Sequence, residues 1–346
     1  MLPRLPKLAA FDIDGTLVSQ NLPNTSPSPR TVQALLDLKK QGVIIVIATG
    51  RPTEHTLSFC KRTMPFVDYV IGHDGQRCYN FQTESLVFDS RNGLDKIKKA
   101  LIDFVVAFRN CSNYPPAFVL ELEDGRSNTG QTRSKFITDT DPATHSFDWR
   151  PWYQMPYYSA VQLDDILSVL HQKNETLSGG AGYSYGIGGD GLSGPSGDVL
   201  SLFAIFDIFE KTKEGKQLMM EGKVSRGTDG EVTKFDSGLI HCTIKDLDSN
   251  KPGSQTIMKI AMQKVDKWTA LSKLSLEIGI DKKEVVCFGN DLNDIGMLKW
   301  AEIGYVTDDA PNEVLKAGNV VMGSVEKEGV AVVIEGWLSK RRLGKL

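Results

Sequence analysis

The sequence predicts an α/β protein in which a largely parallel sheet is covered by helices. Short apolar runs with the length of buried strands alternate along the chain with stretches of helical periodicity. Three of these runs, which end near residues 11, 48 and 288, pass directly into glycine and oxygen-bearing side chains. Open α/β sheets bind their ligands at the carboxyl ends of such strands, so the same pattern also predicts where a functional site forms.

The first run, Leu8 to Phe11, is apolar throughout, which is typical of a strand buried on both faces. It ends at two carboxylates, Asp12 and Asp14, and Gly15 then allows the backbone to turn away sharply. Because alternate residues of a strand point the same way, both carboxylates can reach one site. Two neighbouring carboxylates repel each other, so a counter-cation such as Mg²⁺ is expected there.

A helix and a second strand complete a strand–helix–strand unit with parallel strands. Ser28 and Pro29 are typical of an N-cap and a first helical position, and the helix is predicted to end at Gly42. The run Val43 to Ala48 is rich in β-branched residues and predicts a second buried strand. This strand ends in Thr49-Gly50-Arg51-Pro52, which places further polar groups at the same edge of the sheet.

A third short strand, Tyr69 to Ile71, leads into Gly72-His73-Asp74-Gly75. His73 is a candidate catalytic residue. A lone loop histidine more often serves as a polar turn residue, and that interpretation is preferred.

The α/β pattern returns near the end of the chain. A helix is predicted over Thr269 to Ile278, directly after Asp266-Lys267. Glu284 to Phe288 predicts another buried strand, which runs into Gly289-Asn290-Asp291-Leu292-Asn293-Asp294. Once more a strand ends in a glycine and a cluster of oxygen ligands.

Calcium loops of the EF-hand type are an alternative interpretation of both acidic clusters. In the first cluster Leu17 stands where that loop requires glycine, and the preceding residues resemble a strand. In the second cluster Ile295 occupies a ligand position and supplies no oxygen, although Glu302 fits the twelfth position. The EF-hand interpretation, like a plain surface turn, is therefore disfavoured for the first cluster, and the EF-hand is rejected for the second.

Composition excludes several classes of protein. The chain has 346 residues, 40% of them hydrophobic, which is enough for a large core and two domains. A net charge of −3 without a long basic block disfavours a nucleic-acid partner. The five cysteines are scattered and form no CxxC pair, so neither a zinc site nor a disulfide framework is predicted. With neither a secretion signal nor a membrane-spanning run in the sequence, a cytoplasmic protein is expected, and its oligomeric state is not predicted.

The character of the sequence changes from about Ser85. An aromatic cluster between Phe147 and Tyr158 is a candidate pocket lining, although packing within a small domain is preferred. The glycine-rich stretch Gly179 to Gly197 contains a formal GxGxxG match, but no helix opens after it, so a flexible loop is predicted. Strands are predicted over Val199 to Phe206 and Leu239 to Ile244.

Four elements in this order resemble the haloacid dehalogenase (HAD) superfamily of phosphatases. They are Asp12-Ile13-Asp14-Gly15-Thr16, Thr49, Lys267 and Gly289-Asn290-Asp291-Leu292-Asn293-Asp294. Thr49-Gly50-Arg51 and the residues around Lys267 are similar to the Cof-type, class IIB group. The resemblance implies a HAD-like Rossmannoid parallel-sheet core, residues 1–84 and 255–346, with an inserted α+β cap domain of the C2 type, residues 85–254, that sets substrate specificity.

The resemblance also implies a mechanism for hydrolysis of a small phosphorylated metabolite such as a sugar phosphate. Asp12 would attack phosphorus and form an aspartyl-phosphate. Asp14 would protonate the leaving oxygen and then deprotonate the attacking water. Lys267, the Thr49 hydroxyl and Mg²⁺ would neutralise the charge of the phosphate.

Binding roles are implied in the same way. Gly15 and Thr16 would offer backbone N–H groups to the phosphoryl oxygens. The remaining substrate-binding candidates are Gly50, Arg51 and Asn293. The metal-binding candidates are Asp12, Asp14 through its backbone carbonyl, Asn290, Asp291 and Asp294.

The sequence departs from the family pattern in the last cluster. Relatives usually carry Asp directly after the glycine, where this chain has Asn290, which offers an oxygen without a charge. Asp291 or Asp294 is expected to compensate, with Asn290 as the preferred ligand and Asp294 in support. Asp74 and Asp309 also stand where relatives often have Asn.

Two other functions stay open at this point. A phosphomutase would share the core and the cap type, but its glycine-rich version of the last motif is missing from this sequence. A non-catalytic relative that binds a phosphorylated ligand is disfavoured by the presence of Asp12, Asp14 and Lys267. The residues do not identify the substrate.

Overall fold

The computed structural model describes two β-sheets with their associated helices. It covers residues 4–19, 26–90, 101–102, 105–106, 117–126, 132–138, 158–160, 199–206, 231–232, 240–246, 256–262 and 265–344. The predicted aromatic cluster before Tyr158 and the predicted loop from Gly179 to Gly197 lie outside these residues.

The first sheet has eight strands and is parallel over six of them, as predicted for an α/β core. In chain order its strands are β1 (Leu8–Phe11), β2 (Ile44–Ala48), β3 (Tyr69–Gly72), β4 (Arg77–Asn80), β5 (Ser85–Asp89), β13 (Val285–Gly289), β14 (Ile303–Thr307) and β15 (Val320–Met322). Their spatial order is β15-β14-β13-β1-β2-β3-β4-β5, and β4 and β5 are added as an antiparallel hairpin. Strand β1 therefore lies between β13 and β2, at the centre of the parallel part.

Helices cover both faces of this sheet. In chain order they are α1 (Pro29–Lys40), α2 (Thr53–Thr63), α3 (Lys267–Glu277), α4 (Ile295–Trp300), α5 (Asn312–Ala317) and α6 (Gly329–Arg342). The alternation of side chains along β1 explains the two layers, because Ala9 and Phe11 join one apolar cluster and Leu8 and Ala10 join the other. The first cluster is completed by α1, α2 and α6, and the second by α3, α4 and α5.

Helix α1 illustrates how local sequence fixes an element. The Ser28 side chain accepts a hydrogen bond from the Thr31 N–H, and Pro29 occupies the first turn, as predicted. Lys39 and Lys40 lie in the last turn, where positive charge is favourable. Gly42 follows with a φ of 84°, a conformation that suits glycine.

Within the described residues the second sheet has seven strands and is mainly antiparallel. In chain order its strands are β6 (Ala117–Arg126), β7 (Thr132–Thr138), β8 (Tyr158–Ala160), β9 (Val199–Phe206), β10 (Glu231–Val232), β11 (Ile240–Asp246) and β12 (Thr256–Met262). Their spatial order is β10-β11-β12-β9-β6-β7-β8.

The two sheets divide the chain differently from the predicted boundaries at residues 84 and 255. Strand β5 follows residue 84 but pairs with β4 in the first sheet, where the Arg77 guanidinium lies 3.2 Å from Asp89 and 3.0 Å from Glu54. Strand β12 follows residue 255 but pairs with β9 and β11 in the second sheet. Within the described residues the first sheet thus includes residues up to 89 and resumes after residue 262, and we propose these positions as the limits of the core. Cross-strand pairing decides membership of a sheet, and composition does not report it.

Among the described helices, none combines the length and the apolar character that crossing a membrane requires.

Candidate active site

The predicted site residues come together where β1, β2 and β13 end side by side. Asp12 follows β1 and is 4% exposed, and its N–H donates to the Phe288 carbonyl of β13 over 3.0 Å. Thr49 follows β2 and is 1% exposed. The parallel register therefore brings three loops that are distant in sequence to one edge of the sheet, as the sequence predicted.

Lys267 links two of these loops. It is the first residue of α3, whose N-cap, Asp266, accepts a hydrogen bond from the Thr269 N–H. The Lys267 ammonium donates to Asp12 Oδ1 and to Asp294 Oδ1, each over 2.7 Å, and the side chain is 1% exposed. A buried cation thus bridges two buried carboxylates.

Burial and neighbouring charges shift the pKa values of Asp12 and Lys267 in opposite directions. Burial raises the pKa of the Asp12 carboxyl to about 8, against the opposing effect of the Lys267 ammonium. Burial lowers the pKa of Lys267, but the charges of Asp12, Asp294 and Asp74 together with the hydrogen bond to Asp12 raise it by more, so the ammonium keeps its proton. Lys267 therefore stays charged beside Asp12, while the Asp12 carboxyl without a metal keeps its proton up to about pH 8. The Asp12 carboxylate requires more positive charge than Lys267 supplies alone.

Asp294 organises the loop that follows β13. While its Oδ1 accepts from Lys267, its Oδ2 accepts from the backbone N–H groups of Asn290 at 2.9 Å and Asp291 at 3.0 Å. Gly289 makes this approach possible, since a Cβ there would lie 2.6 Å from the Cβ of Asp294. The structure thus places Asp294, predicted as a metal ligand, where it positions Lys267 and folds the loop.

Asn290 faces the first loop. Its Oδ1 accepts a hydrogen bond from the Thr16 hydroxyl over 2.9 Å, and both side chains are buried. A carbonyl oxygen has a second lone pair, so this contact leaves Asn290 able to bind a cation. The neighbouring Asp291 is half-buried and accepts from the Leu292 N–H over 2.8 Å.

Asp14, predicted as the proton donor, is paired with Arg51. The guanidinium donates to both carboxylate oxygens, over 2.8 Å from Nε and 2.6 Å from the terminal nitrogen. Arg51 is 8% exposed and also packs over the Phe59 ring at 5.1 Å. A two-pronged guanidinium contact favours the ionised carboxylate, so proton donation by Asp14 requires the pair to loosen. The sequence did not predict this pairing, because Arg51 was assigned to the substrate.

The amides assigned to the phosphoryl oxygens are engaged within their own loop. Gly15 has a φ of 85°, and its N–H donates to the Val18 carbonyl over 2.7 Å. The Thr16 N–H donates to the Ile13 carbonyl over 3.3 Å. In this structure the two groups close the loop on itself, and binding of a phosphoryl group by them requires the loop to rearrange.

The turn after β3 completes the site and contains residues, such as Asp74, that were not predicted to belong to it. His73 is buried, and its Nδ1 lies 2.8 Å from the Thr53 hydroxyl and 3.2 Å from the Thr53 N–H, so it caps the start of α2. The preference for a polar turn residue over a catalytic one agrees with this position. Asp74 Oδ1 accepts from the Asn293 amide over 2.9 Å, which joins the turn to the loop after β13. The signal for Asp74 was its place at the end of a third parallel strand.

The donor atoms at this edge suit a hard cation. The candidates are carboxylate, amide and backbone carbonyl oxygens, which are the ligands of Mg²⁺, and Asp12 requires further positive charge. No three carboxylate, imidazole or thiolate side chains converge as a metal centre among residues 4–19, 26–90 and 265–344. Mg²⁺ typically uses only one or two carboxylates, with waters and substrate phosphate, so the residues present fit it.

Comparison with known families decides the class. A family model for haloacid dehalogenase-like hydrolases matches residues 9–125 and 219–334, which together are more than half of the chain. The chain belongs to the haloacid dehalogenase-like hydrolases. This confirms the resemblance drawn from the motifs around Asp12, Thr49, Lys267 and Asp294, and the protein is a Cof-type phosphatase of that superfamily.

Individual HAD relatives agree with this assignment. "Putative phosphatase YxeH" of Bacillus subtilis is 36% identical over 330 residues, which cover 95% of this chain and 97% of that protein. The "5-amino-6-(5-phospho-D-ribitylamino)uracil phosphatase YcsE" of Bacillus subtilis is 27% identical over 121 residues, which cover 32% of this chain and about half, 49%, of that relative. The solved structure of the "HAD Subclass IIB Sugar Phosphatase BT4131" has a TM-score of 0.60 at 18% identity, covering 98% of this chain and 100% of that one. This last likeness shows the HAD fold.

Proposed function

We propose that this HAD phosphatase is Mg²⁺-dependent and hydrolyses a small phosphorylated metabolite through an aspartyl-phosphate on Asp12. The observation that carries the proposal is the position of Asp12, buried at the end of the central strand with one oxygen on the Lys267 ammonium. Among the described residues, no hydrogen bond to its other oxygen is found. That oxygen is the nucleophile.

In the first step a bond forms between the Asp12 carboxylate and phosphorus while the bond from phosphorus to the leaving oxygen breaks. Asp14 gives its proton to that oxygen and then takes a proton from the water that cleaves the intermediate. Arg51 holds both Asp14 oxygens before substrate arrives, so an anionic phosphate that draws the guanidinium away frees Asp14 for this exchange.

Lys267 keeps its proton throughout, because two carboxylates face it, and its charge stabilises the phosphoryl oxygens beside Asp12. The residues that would hold Mg²⁺ are Asp12, the Asp14 backbone carbonyl and Asn290, with Asp291 and Asp294 in the surrounding loop. When bound, Mg²⁺ would supply the positive charge that lets a carboxylate approach an anionic ester.

Two relatives support the substrate class, since one is named a sugar phosphatase and the other acts on a phosphorylated ribitylamino compound. We therefore propose sugar phosphates and phosphorylated polyol derivatives as the substrates. A cytoplasmic location remains a prediction that cell fractionation checks.

The test is phosphate release from p-nitrophenyl phosphate and from a panel of phosphorylated sugars and polyols, with Mg²⁺ and with EDTA. We expect turnover that requires Mg²⁺, inhibition by beryllium fluoride with Mg²⁺, and loss of at least about 10³-fold in kcat for Asp12→Asn. Retention of most activity in Asp12→Asn contradicts the nucleophile assignment. Absence of turnover on every compound, with the protein folded, supports a binding role instead.

A further inference from the structure

We propose that Asp74 is a positioning residue that orients the Asn293 amide toward the phosphoryl group and couples the loop after β2 to the loop after β13. This inference rests on the proposed function, because it requires a substrate phosphate that Asn293 binds. The contact that carries it is the hydrogen bond from Asn293 Nδ2 to Asp74 Oδ1 at 2.9 Å.

The chemistry of the amide explains the effect. An amide NH₂ has two donors, and Asp74 takes one of them. The carboxylate is an acceptor only, so it fixes which end of the Asn293 side chain carries the nitrogen. The second N–H is then held in one direction and can donate to an anion without further ordering.

The backbone of the turn is built to present this carboxylate. His73 and Asp74 have φ values of 50° and 51°, a left-handed conformation that is strained for residues other than glycine. Two hydrogen bonds hold the turn against the loop after β2. The His73 N–H donates to the Arg51 carbonyl over 2.9 Å, and the Asp74 N–H donates to the Thr49 carbonyl over 3.1 Å.

Gly50 provides independent support. A Cβ at this position would lie 2.9 Å from Asp74 Oδ1 and 3.4 Å from its Cγ, so the missing side chain leaves the space that the carboxylate occupies. Gly50 was predicted to bind substrate, and its lack of a side chain also leaves room for the Asp74 carboxylate. Asp74 also contributes to raising the pKa of Lys267, after Asp12 and Asp294 and against the effect of burial, so its charge lies close to the reacting centre.

The experiment compares Asp74→Asn with Asp74→Gly. Asparagine keeps an oxygen that accepts from Asn293, and both replacements tolerate the left-handed backbone. The readout is the dissociation constant for inorganic phosphate with Mg²⁺, measured by calorimetry, together with kcat and KM for p-nitrophenyl phosphate. We expect Asp74→Asn to bind phosphate within about threefold of the wild type, and Asp74→Gly to bind about tenfold more weakly.

Gly50→Ala tests the same contact from the other side. The new methyl group displaces the Asp74 carboxylate, so phosphate binding weakens about tenfold, and the combination with Asp74→Gly is no worse than either change alone. Additive losses, equal losses in Asp74→Asn and Asp74→Gly, or unchanged binding in Asp74→Gly would each overturn the proposal. Thermal unfolding verifies that each variant is folded. The calorimetric result does not depend on turnover, so failure of this inference is distinguishable from failure of the proposed hydrolysis.

Discussion

Asp294 shows how a single buried carboxylate organises a site through its neighbours. Its oxygens accept three hydrogen bonds, one from Lys267 and two from the amides that open the loop after β13. The sequence placed Asp294 in the correct cluster but did not separate its task from that of Asp291. The difference arises from the path of the backbone after Gly289, and the spacing of acidic residues does not report that path.

Asp12 provides a prediction at the scale of one residue. Its folded-state pKa is raised to about 8 from an ordinary value of 3.8, so the folded protein holds the proton more tightly than the unfolded chain does. The contribution of Asp12 to stability is therefore fully present below about pH 4 and is lost as the pH rises through about 8. Asparagine does not titrate, so Asp12→Asn in EDTA is expected to exceed the wild type in free energy of unfolding.

The difference in free energy of unfolding between the variant and the wild type grows above about pH 4, by no more than about 1.4 kcal/mol per pH unit. It levels off above about pH 8. Urea unfolding of both proteins across this range measures it. Adding Mg²⁺ at pH 8 should stabilise the wild type more than the variant, because the ionised carboxylate contributes to the site. Identical stability of the two proteins at pH 8 in EDTA would contradict the assignment.

At the scale of an element, the start of helix α3 depends on the turn after β3. Gly75 has a φ of 102°, and a Cβ there would collide with the Asp266 carbonyl, the N-cap that precedes Lys267. We expect Gly75→Ala to displace the first turn of α3, to move Lys267 away from Asp12, and to lower kcat by at least about tenfold.

Gly42→Ala is the matched control, because Gly42 also has a positive φ, 84°, but nothing lies within 4 Å of its would-be Cβ. The control should lose about 1 kcal/mol of stability from backbone strain and keep its kcat. Steady-state kinetics and urea unfolding of both variants separate the two effects. Equal kcat values would show that the contact with Asp266 does not position Lys267.

Sequence reasoning was most successful for elements with a strong local signal. Strands β1, β2 and β13 and helix α1 lie within one or two residues of their predicted bounds, because apolar runs and capping residues mark them. The hairpin of β4 and β5 was not predicted. Its strands carry polar residues such as Arg77 and Asp89, whose burial depends on their pairing with each other and with Glu54.

For the whole molecule, local patterns predicted the α/β core and its carboxyl-edge site, while two kinds of information were out of reach. One is the pairing of strands, which joins β5 to β4 and β12 to β9 and β11. The other is the choice of partner among converging polar groups, such as Arg51 with Asp14 and Asp74 with Asn293. One sequence is compatible with many different pairings of such charged and polar groups.

The limits that we propose for the core give a prediction at this scale. Replacing residues 91–262 by a flexible Gly/Ser linker keeps all eight strands of the first sheet, so we expect a folded core with a cooperative unfolding transition. Replacing residues 85–254 removes β5 and retains β12 without its partners β9 and β11. This second variant should unfold at a lower denaturant concentration and aggregate more readily. Circular dichroism and urea unfolding compare them, and greater stability of the second variant would restore the original boundaries.

The turn at His73–Gly75 also bears on how such a protein can diversify. The chain leaves the first sheet at Ser90, whose backbone N–H donates to the Gln76 carbonyl over 2.8 Å. It has returned by Asp266, whose carbonyl lies against the adjacent Gly75. The points at which the chain leaves and rejoins the first sheet therefore lie side by side at one short turn. A segment of almost any size whose own ends meet can be grafted between them without stretching the catalytic loops. We propose that exchange of such a segment changes substrate preference and leaves the chemical step intact.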